Sequence, residues 1–152
     1  MTFPIPTATA RPRTALHPWL AMIPLLLGIL IGALAISSVS TALPAIRGDL
    51  TLSDSGALWL VDIYALSLAA TLIVAARIGD AFGRKRIVIL GLAGFAVLNV
   101  VGGLAQDGML LIVVRALLGV AEAFVVAGVV ATIGAHYQAR QRVLAYGLWT
   151  AT

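Results

Sequence analysis

Two long apolar runs of the chain are joined by a short polar segment, Arg77-Ile-Gly-Asp-Ala-Phe-Gly-Arg-Lys-Arg86. It holds four of the ten basic residues in the 152-residue chain. Hydrophobic residues make up 61% of the composition and charged residues 11%, which leaves too little polar surface for a water-soluble domain. The segment therefore predicts a tight, charged turn between two membrane spans.

The apolar runs predict an all-α integral membrane protein. Backbone polar groups must be paired inside lipid, and the sequence shows no alternating strands of about ten residues, so the spans are expected to be helices. Four helices and a truncated fifth are expected at about 19–45, 56–77, 86–105, 109–135 and 142–152. The chain is thus predicted to hold four complete helices and to end inside a fifth.

The basic residues predict the orientation of these helices. Eight of them flank the spans on one side, and Arg47 alone lies on the other. The positive-inside rule then places the N-terminus and the polar segment in the cytoplasm. The protein is expected to lie in the plasma membrane. Residues 1–18 contain four prolines and are expected to form a disordered cytoplasmic tail, while residues 19–152 form a partial transmembrane domain.

Small residues recur at helical spacing in two of the spans. Gly28 and Gly32 stand four apart in the first. A longer stripe in the fourth span comprises Gly119, Ala123, Ala127 and Ala131. Such stripes let helices approach closely in a bundle, although glycine and alanine are also simply frequent in membrane helices.

Asp62 and Arg115 are charged residues inside predicted spans. Each lies about six residues from the outer end of its helix, roughly 9 Å deep, so a pair between them is possible. Because such charges are costly in lipid, they should face the bundle interior, a watery cavity or each other. Asp62 is interpreted as a group that binds a proton or attracts a cation, but not both at once; the alternative is a structural, hydrogen-bonded aspartate.

Glu122 follows Arg115 by seven residues, on the same helix face but about 10 Å along the axis, so a direct ion pair would be strained. It is either a second proton-carrying group or the partner of a residue on another helix. Aromatic and hydroxyl residues are candidates to line a cavity for an amphipathic cation. They are Ser37, Thr41, Trp59 and Tyr64. For Trp59, an interfacial anchor is an equal alternative.

Other functional classes find little support. The chain has no cysteine, and its two histidines, His17 and His136, are isolated, so no metal site is expected. No nucleophile–base set and no phosphate-binding glycine loop is visible, so neither an enzyme nor a cofactor is predicted. The pI near 10.4 could suggest nucleic acid binding, but the basic residues are confined to short segments between apolar runs and indicate topology instead.

The polar segment resembles the G-x-x-x-D-x-x-G-R-K/R signature between helices two and three of the major facilitator superfamily, with Ala76 in place of the first glycine. The matching residues are Gly79, Asp80, Gly83, Arg84, Lys85 and Arg86. Two glycines are expected to permit the sharp turn, the aspartate to sit at a helix end, and the basic cluster to hold the loop at the cytoplasmic face. In the resembling family this loop locks against the second half of the transporter, so Asp80 and Arg84 would form half of a latch.

Two further matches narrow the resemblance. Arg115, Gly119 and Ala123 are similar to the R-x-x-x-G-x-x-x-A motif in helix four of drug:proton antiporters, with Leu118 at the usual glutamine. Ala42-Leu43-Pro44, closing the first span, and Leu58-Trp-Leu-Val-Asp-Ile-Tyr64 resemble the fourteen-helix antiporters that export quaternary ammonium compounds. The resemblance implies a functional carboxylate at Asp62 and a role in proton coupling for Arg115.

The sequence also departs from that family. A helix-one aspartate, usual upstream of the A-L-P segment, falls on Ala35. Glu122 is a candidate to compensate for it.

The resemblance covers residues 20–152, and alternating access in this superfamily needs two six-helix halves. The chain is expected to be an N-terminal portion, inactive alone, of a proton-coupled exporter of lipophilic cations. Its partners would be protons, the cationic substrate, the lipid bilayer and the remaining helices. The alternative is a small non-transporting membrane protein that associates with other helices.

Overall fold

The computed structural model describes residues 18–136 and gives side chains from Gly28 to Thr132, apart from Ile29. The predicted N-terminal tail and fifth helix lie outside the described residues. The described residues form four helices: α1 (Pro18–Asp49), α2 (Asp54–Phe82), α3 (Arg84–Gly103) and α4 (Gly108–His136). Each is long and apolar enough to cross a membrane, which confirms the prediction of an all-α membrane protein.

The bundle is organised around α4, which packs most extensively against α2 and then against α3. Tyr64 of α2 lies beside Gly119, and Ala75 packs with Ala123 and Ala127, so α2 and α4 run in the same direction. In the contacts of α4 with α1 and α3, later residues of α4 lie beside earlier residues of the other helix. α1 and α3 therefore run antiparallel to α4. The fourth helix thereby contacts each of the other three helices that the structure describes.

The small-residue stripe of α4 forms its contact with α2. Ala123 is fully buried and Ala127 nearly so, and both pack against Ala75 of α2. Gly128, which is not part of the stripe, lies against α3, where an added methyl group would clash with Val88. Small side chains at these positions let the helix backbones approach closely.

The charged turn between α2 and α3 is much shorter than predicted. α2 remains helical through Phe82 and α3 begins at Arg84, so Gly83 alone changes the chain direction, with φ 101° and ψ 124°. Gly79 does not lie in the turn: it is buried within α2, where an added Cβ would lie 2.6 Å from Cδ1 of Ile87. One glycine supplies the backbone conformation, and the other allows α3 to pass close to α2.

At the opposite end of the bundle, α1 continues past Pro44, the residue predicted to close it, as far as Asp49. Leu50 N–H still donates to the Ile46 carbonyl at 3.0 Å, so the last turn is maintained although proline lacks its own N–H. Ser53 then caps α2 by accepting a hydrogen bond from Gly56 N at 3.1 Å. The helix therefore starts at Asp54, two residues earlier than predicted.

Candidate functional site

The side chain of Arg115 is buried where α1, α2 and α4 meet, and it is 3% exposed. Nε donates to the Leu60 carbonyl of α2 at 3.3 Å, and Nη1 donates to the Ala35 carbonyl of α1 at 3.1 Å. Nη2 is buried and has no hydrogen-bond partner among the described residues. The guanidinium thus joins three helices through backbone carbonyls while one of its nitrogens keeps unused donor capacity.

Glu122 is buried two turns further along the same helix and is 6% exposed. Its Oε2 accepts a hydrogen bond from the Tyr64 hydroxyl of α2. On the side of α1, the carboxyl group lies directly against Gly32, where any added Cβ would overlap it. The glycine of α1 therefore leaves the space that the glutamate of α4 occupies.

Tyr64 bridges the gap between these two charges. Its ring lies under the Arg115 guanidinium, 4.6 Å from ring centroid to Cζ, and its hydroxyl reaches Glu122. This spacing is within the range in which an aromatic face attracts a cation. The predicted strain of a direct Arg115–Glu122 pair is thus avoided by a side chain from another helix, and the three residues form one buried polar cluster.

Gly119 explains why Tyr64 reaches this position. It lies on α4 between Arg115 and Glu122, in contact with the Tyr64 carbonyl and with Ser67 Oγ of α2. Ser67 Oγ in turn donates to the Tyr64 carbonyl at 3.0 Å. Because no side chain separates the two backbones here, the tyrosine is held close enough to contact both charged residues.

Asp62 is not part of this cluster. Its side chain is exposed on α2, and no ion pair with Arg115 forms between the described residues. It borders a shallow pocket of about 560 Å³ on a single helix face, together with Trp59, which is 52% exposed. The possible pair between Asp62 and Arg115 is therefore absent. Tyr64 faces Arg115, and Asp62, two residues earlier, points to a different side of the same helix.

The predicted cavity-lining residues are also separated. Tyr64 is in the core, whereas Ser37 and Thr41 are exposed on α1. Thr41 Oγ1 donates to the Ser37 carbonyl at 3.0 Å, one helical turn back, which satisfies its hydroxyl locally. In the described part of the chain, these residues do not share one cavity with Trp59.

A different cavity, of about 640 Å³, opens between α1, α3 and α4. Arg115, Ala35 and Asn99 line it, with Asp49 towards its outer end. Sequence reasoning missed Asn99, whose Nδ2 donates to the Phe95 carbonyl at 2.8 Å. Asn99 is the one amide side chain of the α3 apolar run, and that isolated polar residue was the available signal.

Two residues of the loop motif, Asp80 and Arg84, form contacts within this chain. Asp80 and Arg84 form an ion pair of 3.3 Å across the Gly83 turn, and Arg84 Nη1 also donates to the Ala131 carbonyl of α4 at 2.8 Å. Lys85 and Arg86 are exposed. Arg84 therefore connects the α2–α3 junction to the C-terminal part of α4, where a cation complements the helix dipole.

Comparison with known proteins identifies the family. Residues 25–152 match the Major Facilitator Superfamily. This chain belongs to that superfamily. The resemblance drawn from the polar segment and the helix-four motif is thereby confirmed.

The chain is similar to proteins named for drug export and resistance. It is 37% identical over 138 residues to the multidrug efflux pump LfrA of Mycolicibacterium smegmatis, covering 90% of this chain and 27% of LfrA. It is 33% identical to the puromycin resistance protein of Streptomyces alboniger, covering 88% and 27%. It is 34% identical to the methylenomycin A resistance protein of Bacillus subtilis, covering 86% and 28%. The chain spans about a quarter of the length of these relatives.

Proposed function

We propose that this chain supplies the first four helices of a transporter of its relatives' length, which exports small lipophilic cations in exchange for protons. The observation that carries the proposal is the buried Arg115–Tyr64–Glu122 cluster in a member of a transporter superfamily. Ionisable groups inside a membrane bundle are costly and mark proton or substrate pathways. The printed names of the similar proteins, which refer to efflux and to antibiotic resistance, support export of drug-like molecules.

The cluster and Asp62 supply the charges that such an exchange requires. Asp62, Arg115 and Glu122 are the three charged residues within the apolar runs of α2 and α4. A carboxylate binds either a proton or a nearby cation favourably, and these two events compete for one negative charge. Competition of this kind converts downhill entry of protons into uphill exit of a cation.

The remaining helices would complete the transporter. α1 exposes a row of large apolar side chains in this structure: Leu30, Ile31, Leu34 and Ile36. Lipid or further helices of the same transporter would cover this face. The positive-inside rule supports a cytoplasmic location for the Gly83 end of the bundle. Export from the cell would require the protein to reside in the plasma membrane.

Transport by the protein that contains this chain tests the proposal. In proteoliposomes with an imposed pH gradient, we expect efflux of ethidium or benzalkonium that stops when the gradient is dissipated. Glu122→Gln and Asp62→Asn should each reduce the exchange at least tenfold, whereas Lys85→Ala, on an exposed residue, should leave it within twofold. Efflux that ignores the pH gradient would refute proton exchange, and wild-type rates in both carboxylate variants would refute their role in coupling.

A further inference from the structure

The apolar runs of the helices contain few titratable side chains, and most of them meet at one place. Those of α1 and α3 contain none. α2 contributes Asp62 and Tyr64, and α4 contributes Arg115 and Glu122. Three of these four form the buried cluster, and Asp62 is exposed apart from it. The two carboxylates therefore occupy different environments, and this difference suggests different roles.

Glu122 has the features of a proton site rather than of a site for a bulky cation. Gly32 packs directly on its carboxyl group, and the Tyr64 hydroxyl occupies Oε2, so little space remains beside the oxygens. Oε1 accepts no hydrogen bond from any residue that the structure describes. An enclosed carboxyl group with one free oxygen admits a proton but excludes a drug-sized cation.

A cavity lies next to Glu122. It has a volume of about 230 Å³ and lies between α1, α3 and α4. Besides Glu122, its lining is uncharged: Gly28, Ile31, Leu92, Phe95, Ala96, Asn99 and Val125. The space is large enough for a water molecule, with the Glu122 carboxyl group and the Asn99 side chain as its polar neighbours. The groups that face Glu122 and bear on its ionisation are therefore Tyr64 of α2 and Arg115 of α4.

We infer that Glu122 carries the proton that is exchanged for the exported cation, and that Tyr64 positions its carboxyl group. This inference rests on the proposed function, which left the roles of the two carboxylates open. The chemical step is a proton transfer. A hydronium ion gives up one O–H bond and leaves as water, and the proton forms an O–H bond at Oε1 of Glu122, while the Tyr64 hydroxyl remains the donor to Oε2.

Protonation changes the charge of the whole cluster. With Glu122 ionised, its negative charge balances the positive charge of Arg115, and with Glu122 protonated the cluster carries the charge of Arg115 alone. A positively charged cluster disfavours a cation nearby, and an approaching cation favours release of the proton back to water. The structure thus provides mutual exclusion of proton and cation without requiring both to bind the same oxygen atoms.

Infrared titration of the protein that contains this chain tests the assignment directly. A protonated carboxyl group gives a C=O stretching band that appears as the pH falls. We expect the band of a buried carboxyl in wild type and in Asp62→Asn, which is the matched acid-to-amide control, and its loss in Glu122→Gln. We also expect proton release on addition of tetraphenylphosphonium, measured with a pH indicator, to fall at least tenfold in Glu122→Gln.

The opposite pattern would overturn the inference: a band and proton release that persist in Glu122→Gln, or a band that vanishes in Asp62→Asn alone. If Glu122→Gln does not fold, Glu122→Asp decides, because a changed band frequency supports Glu122 and an unchanged one overturns it. Tyr64→Phe keeps the ring under Arg115 but removes the hydroxyl. It should therefore move the band to higher frequency, and an unchanged frequency would refute the positioning role.

These measurements separate the inference from the proposed function. If the wild-type protein does not exchange cations for protons, the proposed function fails. The infrared band still decides whether Glu122 binds a proton, because its titration does not depend on transport. Its absence from wild type at every pH would overturn the inference.

Discussion

Replacement of Gly119 by alanine should loosen the contact between α2 and α4. A Cβ at this position would overlap the Tyr64 carbonyl and Ser67 Oγ and would lie 3.1 Å from the Leu68 backbone nitrogen. Ser67 could rotate away at the expense of its 3.0 Å hydrogen bond, but the two backbone atoms cannot. The helices must therefore separate, and Tyr64 would move away from its two partners.

The change in unfolding free energy caused by Gly119→Ala is the difference between two opposing contributions. Overpacking in a close-packed contact costs about 1–3 kcal/mol. Alanine favours a helix over glycine by up to about 1 kcal/mol, which offsets part of that cost. The expected net loss of unfolding free energy is about 1–2 kcal/mol, or roughly a tenfold change in the unfolding equilibrium.

Gly94→Ala is the matched control, because Gly94 is also inside a helix but an added Cβ would be 3.8 Å from the nearest atom, Ala121 Cβ. This variant should be as stable as wild type or more stable by up to about 1 kcal/mol. Unfolding by sodium dodecyl sulfate in mixed micelles, followed by loss of helical circular dichroism, measures both. If Gly119→Ala proves as stable as Gly94→Ala, the proposed backbone contact does not limit packing.

Three further changes test other parts of the bundle. Gly32→Ala should displace Glu122 and lower stability by about 1–3 kcal/mol, and Glu122→Ala should relieve most of that added cost, since the clash is with the carboxyl group. Gly83→Ala should cost about 1–3 kcal/mol, because its φ of 101° strains any residue with a Cβ. Arg84→Ala should cost about 1–3 kcal/mol by removing the bonds to α4 and to the α2–α3 junction, whereas exposed Lys85→Ala should stay within about 0.5 kcal/mol.

The same unfolding measurement checks each of these changes. Additive losses in the Gly32 and Glu122 double variant would contradict the clash. Gly48→Ala is the control for Gly83, because Gly48 is in α1 without a positive φ and an added Cβ would contact nothing within 4 Å. Equal effects at the two glycines would argue against strain at the turn, and equal losses in the Arg84 and Lys85 variants would argue against the contact with α4.

Much of the fold could be predicted because it depends on the length and polarity of local segments. A run of about 20 apolar residues must form a helix in lipid whatever its neighbours are, and the polar segment from Arg77 to Arg86 had to join two such runs. The length of the turn between α2 and α3 was harder to predict from the sequence. The sequence marks both Gly79 and Gly83, and only the passage of Ile87 over Gly79 distinguishes a packing glycine from a turning one.

The candidate site was predicted less completely, for a physical reason. Asp62, Arg115 and Glu122 could be singled out because a charge in a membrane span is costly wherever it lies. Which of them meet depends on helix rotation and on contacts across 58 residues of sequence, as between Tyr64 and Glu122. The role of Asp62 remains a prediction, and its exposed position gives it surroundings quite unlike those of Glu122.

A multi-pass, all-α membrane protein of the Major Facilitator Superfamily could be recognised from the amino-acid sequence, because hydropathy and short motifs are local properties of the chain. The contacts of Tyr64 with Arg115 and Glu122, and the position of Asp62 outside that cluster, became known from the packing of the helices. Those outcomes depend on where Gly32 and Gly119 let three helices approach, and the distance between two helices is not encoded in either helix alone.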